Sequence, residues 1–130
     1  FTCFTLSLDN LSELTKRFGY TVGDGVLKDF AGLVQLMGDT EGMRGYNGVG
    51  RFVVFFEECS SKKAAAMIRI LDNQVEEYNS LNPEYPIRYT AAWATTEETD
   101  TYEIRELLRL SQKKWKQMEK EKKDKTEEET

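Results

Sequence analysis

The chain has 130 residues, 39% of them apolar with glycine left out, and a formal charge of −5 from 18 basic and 23 acidic side chains. That size and apolar content fit one domain able to bury a core; they exclude a disordered segment, and no apolar run approaches the ~20 residues of a bilayer-spanning helix. The acidic balance argues against a broad grip on nucleic acid or anionic lipid, and the absence of histidine removes His-based triads and histidine-ligated zinc.

The opening, Phe1 to Leu8, is aromatic, β-branched and apolar, which predicts a buried strand. Asp9 and Asn10 can each cap a helix, and Asn10 with Glu13 forms a capping-box pattern for a helix that Gly19 ends after Phe18. From Asp24, Leu27, Phe30, Leu33 or Val34, and Met37 recur at helical spacing as far as Gly38. Met43 to Asn47 and Arg51 to Phe56 flank Gly48-Val49-Gly50, the pattern of a β-hairpin. Ser60 or Ser61 then caps a long helix with an inner face of Ala64, Ile68, Leu71, Val75 and Tyr78.

Pro83 and Pro86 mark a loop, and Ile87 to Ala94 has strand composition. Thr99 or Asp100 caps a last helix, its buried face expected to be Ile104, Leu107 or Leu108, Ser111, Trp115 and Met118. Beyond Lys120 no apolar residue remains, so residues 121–130 are expected as a charged, frayed tail and 1–120 as the domain. Cys3 and Cys59, far apart and in no CxxC pair, read as reduced thiols of a cytoplasmic domain, with a disulfide as the alternative. The first residue is not methionine, so a longer parent protein, including one anchored in a membrane, is expected. The element order is a βαββαβ plan with extra helices, an α/β sandwich of helices on a sheet.

Two stretches with this element order resemble the GGDEF family of diguanylate cyclase domains. Phe18-Gly19-Tyr20-Thr21-Val22-Gly23-Asp24-Gly25-Val26-Leu27 is similar to its aromatic-G-H-x-x-G-D-x-x-L segment, with tyrosine for histidine. Asn47-Gly48-Val49-Gly50-Arg51-Phe52 lies where the family carries its signature hairpin. The resemblance implies a ferredoxin-like, nucleotide-cyclase-like fold. It also implies a chemistry in which two GTP molecules become cyclic di-GMP between two subunits, by phosphoryl transfer assisted by divalent metal.

Position by position, the resemblance puts the first-strand metal carboxylate at Ser7 and the hairpin's at Gly50, with Arg51 in place of the next acid. Asp9 matches a second acidic position or caps a helix. The guanine-contacting asparagine falls at Thr15, while its aspartate partner is kept as Asp24, which either contacts guanine or caps the following helix. The phosphate lysine falls at Met118, with Lys122 nearby; the product-inhibition motif falls on Asp39 to Gly42 without its arginine or aspartate; a tight strand glycine falls at Trp93.

These departures lead to the expectation of a degenerate domain that is not an enzyme, has no catalytic residue, metal or cofactor, and works as a regulatory, dimerisation or signal-transmission module. Expected partners are other domains of the same longer protein, a second copy of the domain, and weakly bound GTP; nucleic acid and membrane are not expected. The alternative is nucleotide binding by Asp24, Gly48, Gly50 and Arg51, the glycines admitting phosphate to backbone amides and Arg51 either offering a positive fork or standing as a plain hairpin charge. A third reading is a working cyclase that draws its ligands from Asp9, Glu57 or Glu58.

Overall fold

Seven residues, Thr2–Leu8, form strand β1 in a computed structural model that describes residues 1–36, 43–46, 50–57, 60–99 and 103–129. All seven are buried, which requires cover on both faces of the sheet. The remaining elements are α1 (Leu11–Phe18), α2 (Tyr20–Gln35), β2 (Met43–Tyr46), β3 (Arg51–Phe56), α3 (Ser61–Leu81), β4 (Tyr89–Thr95) and α4 (Ile104–Glu129). The strands lie in the order β2-β3-β1-β4, every neighbouring pair antiparallel. This is the ferredoxin-like arrangement expected from the element order, with helices added.

Alternation along β1 divides the two layers. Phe4, Leu6 and Leu8 join Phe52, Val54 and Phe56 of β3 in a core with Val26, Phe30 and Val34 of α2 and Ala64, Met67, Leu71 and Val75 of α3. Cys3 faces the other way, into a smaller cluster with Ala94 and Leu107 of α4. Thr5 follows it, its Oγ1 2.8 Å from Ser111 Oγ of the same helix. Helices α2 and α3 therefore cover one face of the sheet, and α4 the other.

Three local expectations change. Helix α2 starts at Tyr20, not Asp24: Gly19, at φ +92°, redirects the chain in a single residue, and a new helix begins at once. Asp24 thus lies within the helix and caps nothing. The Asn10–Glu13 capping box is absent, because Asn10 spends its side chain on the loop before β4, donating to Pro86 O (2.7 Å) and accepting from Arg88 N (3.2 Å). Ser60 does cap α3, its Oγ accepting from Lys63 N at 3.1 Å.

The middle of the expected inner face of α4 is the buried one, Leu107, Ser111 and Trp115, whereas Ile104 and Met118 at its two ends are exposed. Its helical backbone also continues to Glu129, past Lys120 where fraying is expected. Two of its lysines reach edge strand β4, Lys114 Nζ donating to Trp93 O (3.1 Å) and Lys122 Nζ to Tyr89 O (2.8 Å). Eight residues of helix rise about 12 Å and four of strand span about 13 Å, so the two pairs coincide only for an antiparallel helix and strand. Among the described residues no helix is long and apolar enough to cross a membrane.

Candidate functional site at the end of the central strand

The chain leaves β1 through Ser7, Leu8 and Asp9, and three elements converge there. Ser7 pairs with Arg51 of β3 on one side and Thr90 of β4 on the other. Leu8 N donates to Gly50 O at 2.8 Å, fixing the start of β3 against the strand end. Gly50 has φ +77°, and a Cβ there would meet Leu11 Cδ2 at 3.3 Å and Leu8 O at 3.4 Å. The backbone needs glycine here for its own conformation, whatever else the position does.

Over this end lies α4. Trp115 Nε1 donates to Ser7 Oγ (2.8 Å), and Ser7 Oγ donates to Asp9 Oδ1 (2.7 Å). Seven residues further along the same helix face, Lys122 Nζ donates to Thr90 Oγ1 (2.6 Å), which donates to Asp9 Oδ2 (2.6 Å). Both arms end on the two oxygens of Asp9, and each hydroxyl donates once and accepts once. The Lys122 ammonium also stands 3.6 Å from Asp9 Oδ2, with the aspartate side chain 23% exposed and the lysine's 52%. At that exposure the ion pair alone contributes at most about 1 kcal/mol; the hydrogen-bonded chain fixes the geometry.

Further charges crowd the site. The Arg51 guanidinium stacks on the Trp115 ring, 4.4 Å from its centroid. Burial holds the Glu119 carboxyl above the ordinary carboxylate range, with Asp9 opposing its charge and Lys122 favouring it. Asp72, which accepts from the Tyr89 hydroxyl, is likewise raised by burial and opposed by Lys122.

Of the residues singled out in the sequence, the fold brings Gly50 and Arg51 to the end of β1, together with Ser7 and Asp9. Asp24 sits on the exposed side of α2, and no hydrogen bond or ion pair among the described residues ties it to Gly50 or Arg51. Gly48, Glu58, Cys59 and the segment Asp39 to Gly42 lie outside the described residues. Asp9 is a hydrogen-bond hub here and not a helix cap. Trp93 is half-buried on the main core, 6.3 Å from Phe4 between ring centroids. Trp115 and Lys122 are the two contributors that spacing did not reveal as a pair; their separation of seven on one helix face was the available signal.

The comparisons with known proteins bear on this geometry. The sequence model "Diguanylate cyclase, GGDEF domain" matches residues 1–125. The chain belongs to the GGDEF family. Among solved structures, the active GGEEF domain of a diguanylate cyclase from Vibrio cholerae is similar at TM-score 0.78 and 19% identity, over 92% of this chain and 76% of that one. An EAL/GGDEF domain protein from M. capsulatus follows at TM-score 0.73 and 14% identity, over 92% and 78%. A diguanylate cyclase/phosphodiesterase from Caldicellulosiruptor saccharolyticus gives 0.67 and 16%, over 92% and 70%. At these identities the structures speak for the fold. None of the curated proteins compared matches the chain.

The GGDEF match corrects one expectation. The missing carboxylates at Ser7 and Gly50 lead to the expectation of a chain that is not an enzyme, yet the family it belongs to is that of an enzyme, matched over residues 1–125. Two missing carboxylates are too narrow a ground for excluding an enzyme, since phosphoryl transfer depends mostly on positioning and on neutralising charge.

The family implies divalent metal, and the donor set at this end of β1 does not fit a pair of such ions. Ser7 Oγ is engaged on both sides, Gly50 offers no side chain, and both oxygens of Asp9 accept hydrogen bonds from the protein. A hard dication asks for several free carboxylate or carbonyl oxygens.

Proposed function

We propose that this GGDEF domain works as a regulatory, signal-transmission module of a cyclic di-GMP signalling protein, with α4 as the element that carries the signal. The observation behind this reading is the seating of one helix face, Ser111, Trp115 and Lys122, by hydrogen bonds on β1 and β4. A displacement of the helix breaks both arms of the Asp9 network at once, so the position of α4 and the arrangement of the strand end change together. The relatives from M. capsulatus and Caldicellulosiruptor saccharolyticus pair such a domain with another; by analogy the partners here are other domains of one longer protein, and a second copy of this domain.

The test is made in bacterial cells expressing the protein, with cyclic di-GMP extracted and quantified. Trp115→Ala and Lys122→Ala, which unseat the helix from either end, shift the cyclic di-GMP pool away from its wild-type level. Pools that stay the same with both variants, each folded as wild type by circular dichroism, overturn the proposal.

One observation favours a second reading, guanine-nucleotide binding. Trp115 uses the face of the Arg51 guanidinium, whose N–H groups lie along its edge in the geometry that grips phosphate. Calorimetric titration with GTP, GDP and cyclic di-GMP, with and without magnesium, should give heat that Arg51→Ala abolishes. Absence of heat in every titration removes this reading.

A further inference from the structure

Helices α3 and α4 lie on opposite faces of the sheet, and both are tied to its edge strand, β4. Tyr89 is held from each side: its carbonyl accepts from Lys122 Nζ of α4 at 2.8 Å, and its hydroxyl donates to Asp72 of α3. Lys122 also acts on Asp72 itself, favouring the carboxylate that burial disfavours. Four residues on, the Trp93 carbonyl accepts from Lys114 Nζ of α4 at 3.1 Å, while the Trp93 side chain packs on the core that α3 covers.

A third tie lies just past the strand. Glu98 N donates to Thr95 O at 3.1 Å, closing a tight turn, and two successive acidic side chains leave that turn for different layers. Glu97 Oε2 accepts from Ser61 N at 3.2 Å, satisfying one of the amide groups that the start of α3 leaves unpaired and placing negative charge at the positive end of that helix. Glu98 Oε2 accepts from Lys114 Nζ at 2.6 Å, the same ammonium that holds Trp93 O. A shift of Lys114 therefore moves the turn, and the turn carries a cap of α3.

We propose that β4 and the turn after it form a coupler that passes a displacement of α4 to α3, around the border of the sheet. When α4 lifts, Lys114 leaves Glu98 and the Trp93 carbonyl, the turn relaxes, and Glu97 releases the first turn of α3. At the other end of β4, Tyr89 loses its hold from Lys122 while Asp72 keeps its own. Both faces of the domain then report one event. This rests on the proposed role of α4 as the moving element and names where its movement goes. It is read from amide exchange in the purified chain, so it can fail while the cellular cyclic di-GMP pool still shifts.

The experiment follows amide hydrogen exchange by NMR in the full chain. The Ser61 amide is the reporter, and the amide of Leu71, wholly buried in the middle of α3, measures opening of the core as a whole. Lys114→Met speeds Ser61 exchange at least about threefold relative to Leu71, the size expected for a weakened helix cap. Loss of a positive charge alone would slow hydroxide-catalysed exchange, so the direction separates a released cap from a changed field. Lys114→Arg, which keeps the charge, restores the wild-type rate, and Lys116→Met, at an exposed position of the same helix, leaves it unchanged. Trp115→Phe, which removes the hydrogen bond of α4 to Ser7 without altering either arm of the turn, also speeds Ser61 relative to Leu71. No such rise in Lys114→Met overturns the coupler. A rise in Lys114→Met with none in Trp115→Phe overturns it too, because the turn then caps α3 without responding to α4.

Discussion

Cys3 lies wholly buried between the sheet and α4, with Ser111 Oγ 3.4 Å from its sulfur. Burial pushes its thiol up to about 11 from an ordinary 9.0, against a smaller pull downward from the Ser111 hydrogen bond. The thiolate is the reactive form, so two pH units mean about a hundredfold less of it. In a Cys59→Ser background, the native chain should react with an aromatic disulfide reagent at least about a hundredfold more slowly than the urea-unfolded chain at pH 8, enclosure adding to the loss of thiolate. Equal rates would place the thiol elsewhere. Because the folded chain holds this proton more tightly, the stability it contributes is present below pH 9 and is lost as pH rises through about 11.

At the scale of elements, α1 and α2 are in tight contact where Gly23 meets Thr15. A Cβ on Gly23 would come within 2.4 Å of Thr15 Oγ1, while that hydroxyl is held back on Leu11 O at 2.9 Å. Gly23→Ala should therefore destabilise the chain by about 1 kcal/mol or more, despite alanine's better helix propensity. Thr15→Ala should recover most of that loss, since the next atom, Thr15 Cβ, lies at an ordinary 3.4 Å. A double-mutant cycle in urea checks the coupling; additive effects would mean that the helices part freely.

Much of the fold could be read at this same scale. The alternation and β-branched content of Thr2–Leu8, the hairpin composition around Arg51–Phe56 and the Ser60 cap each specify their element from neighbours in sequence. What local pattern does not reveal depends on contacts distant in the chain. Asn10 looks like a cap until Pro86 and Arg88 claim its side chain. The middle of the expected face of α4 holds, Leu107, Ser111 and Trp115 meeting the small and polar Cys3, Thr5 and Ser7 of the sheet, while its apolar ends, Ile104 and Met118, reach past that contact and are exposed. At the candidate site, Gly50 and Arg51 could be placed from the hairpin pattern. Lys122 could not, since its partners depend on how α4 lies across β4, thirty residues away in sequence.

For the molecule as a whole, the pH dependence of stability should carry an unusual component. Glu119 has an ordinary value of 4.5, raised in the folded chain chiefly by burial. A carboxyl raised on folding binds its proton more tightly in the native state, so its contribution is fully present below pH 4.5 and declines as pH rises through the folded value. This runs opposite to the usual salt-bridged carboxylate. Glu119→Gln should flatten that part of the curve, leaving stability less dependent on pH above 4.5 than in wild type, as read from urea midpoints across a pH series. An identical curve for the variant would show that the Glu119 environment does not alter its proton affinity.

The reach of Lys114 and Lys122 to the carbonyls of Trp93 and Tyr89 bears on how copies of this chain can meet. Those carbonyls line the outer border of the sheet, where an unoccupied row of acceptors invites another polypeptide to add itself as a fifth strand. With ammonium groups seated on two of them, that border is closed to strand addition. Any growth of the sheet between molecules is left to the opposite border, along Met43–Tyr46.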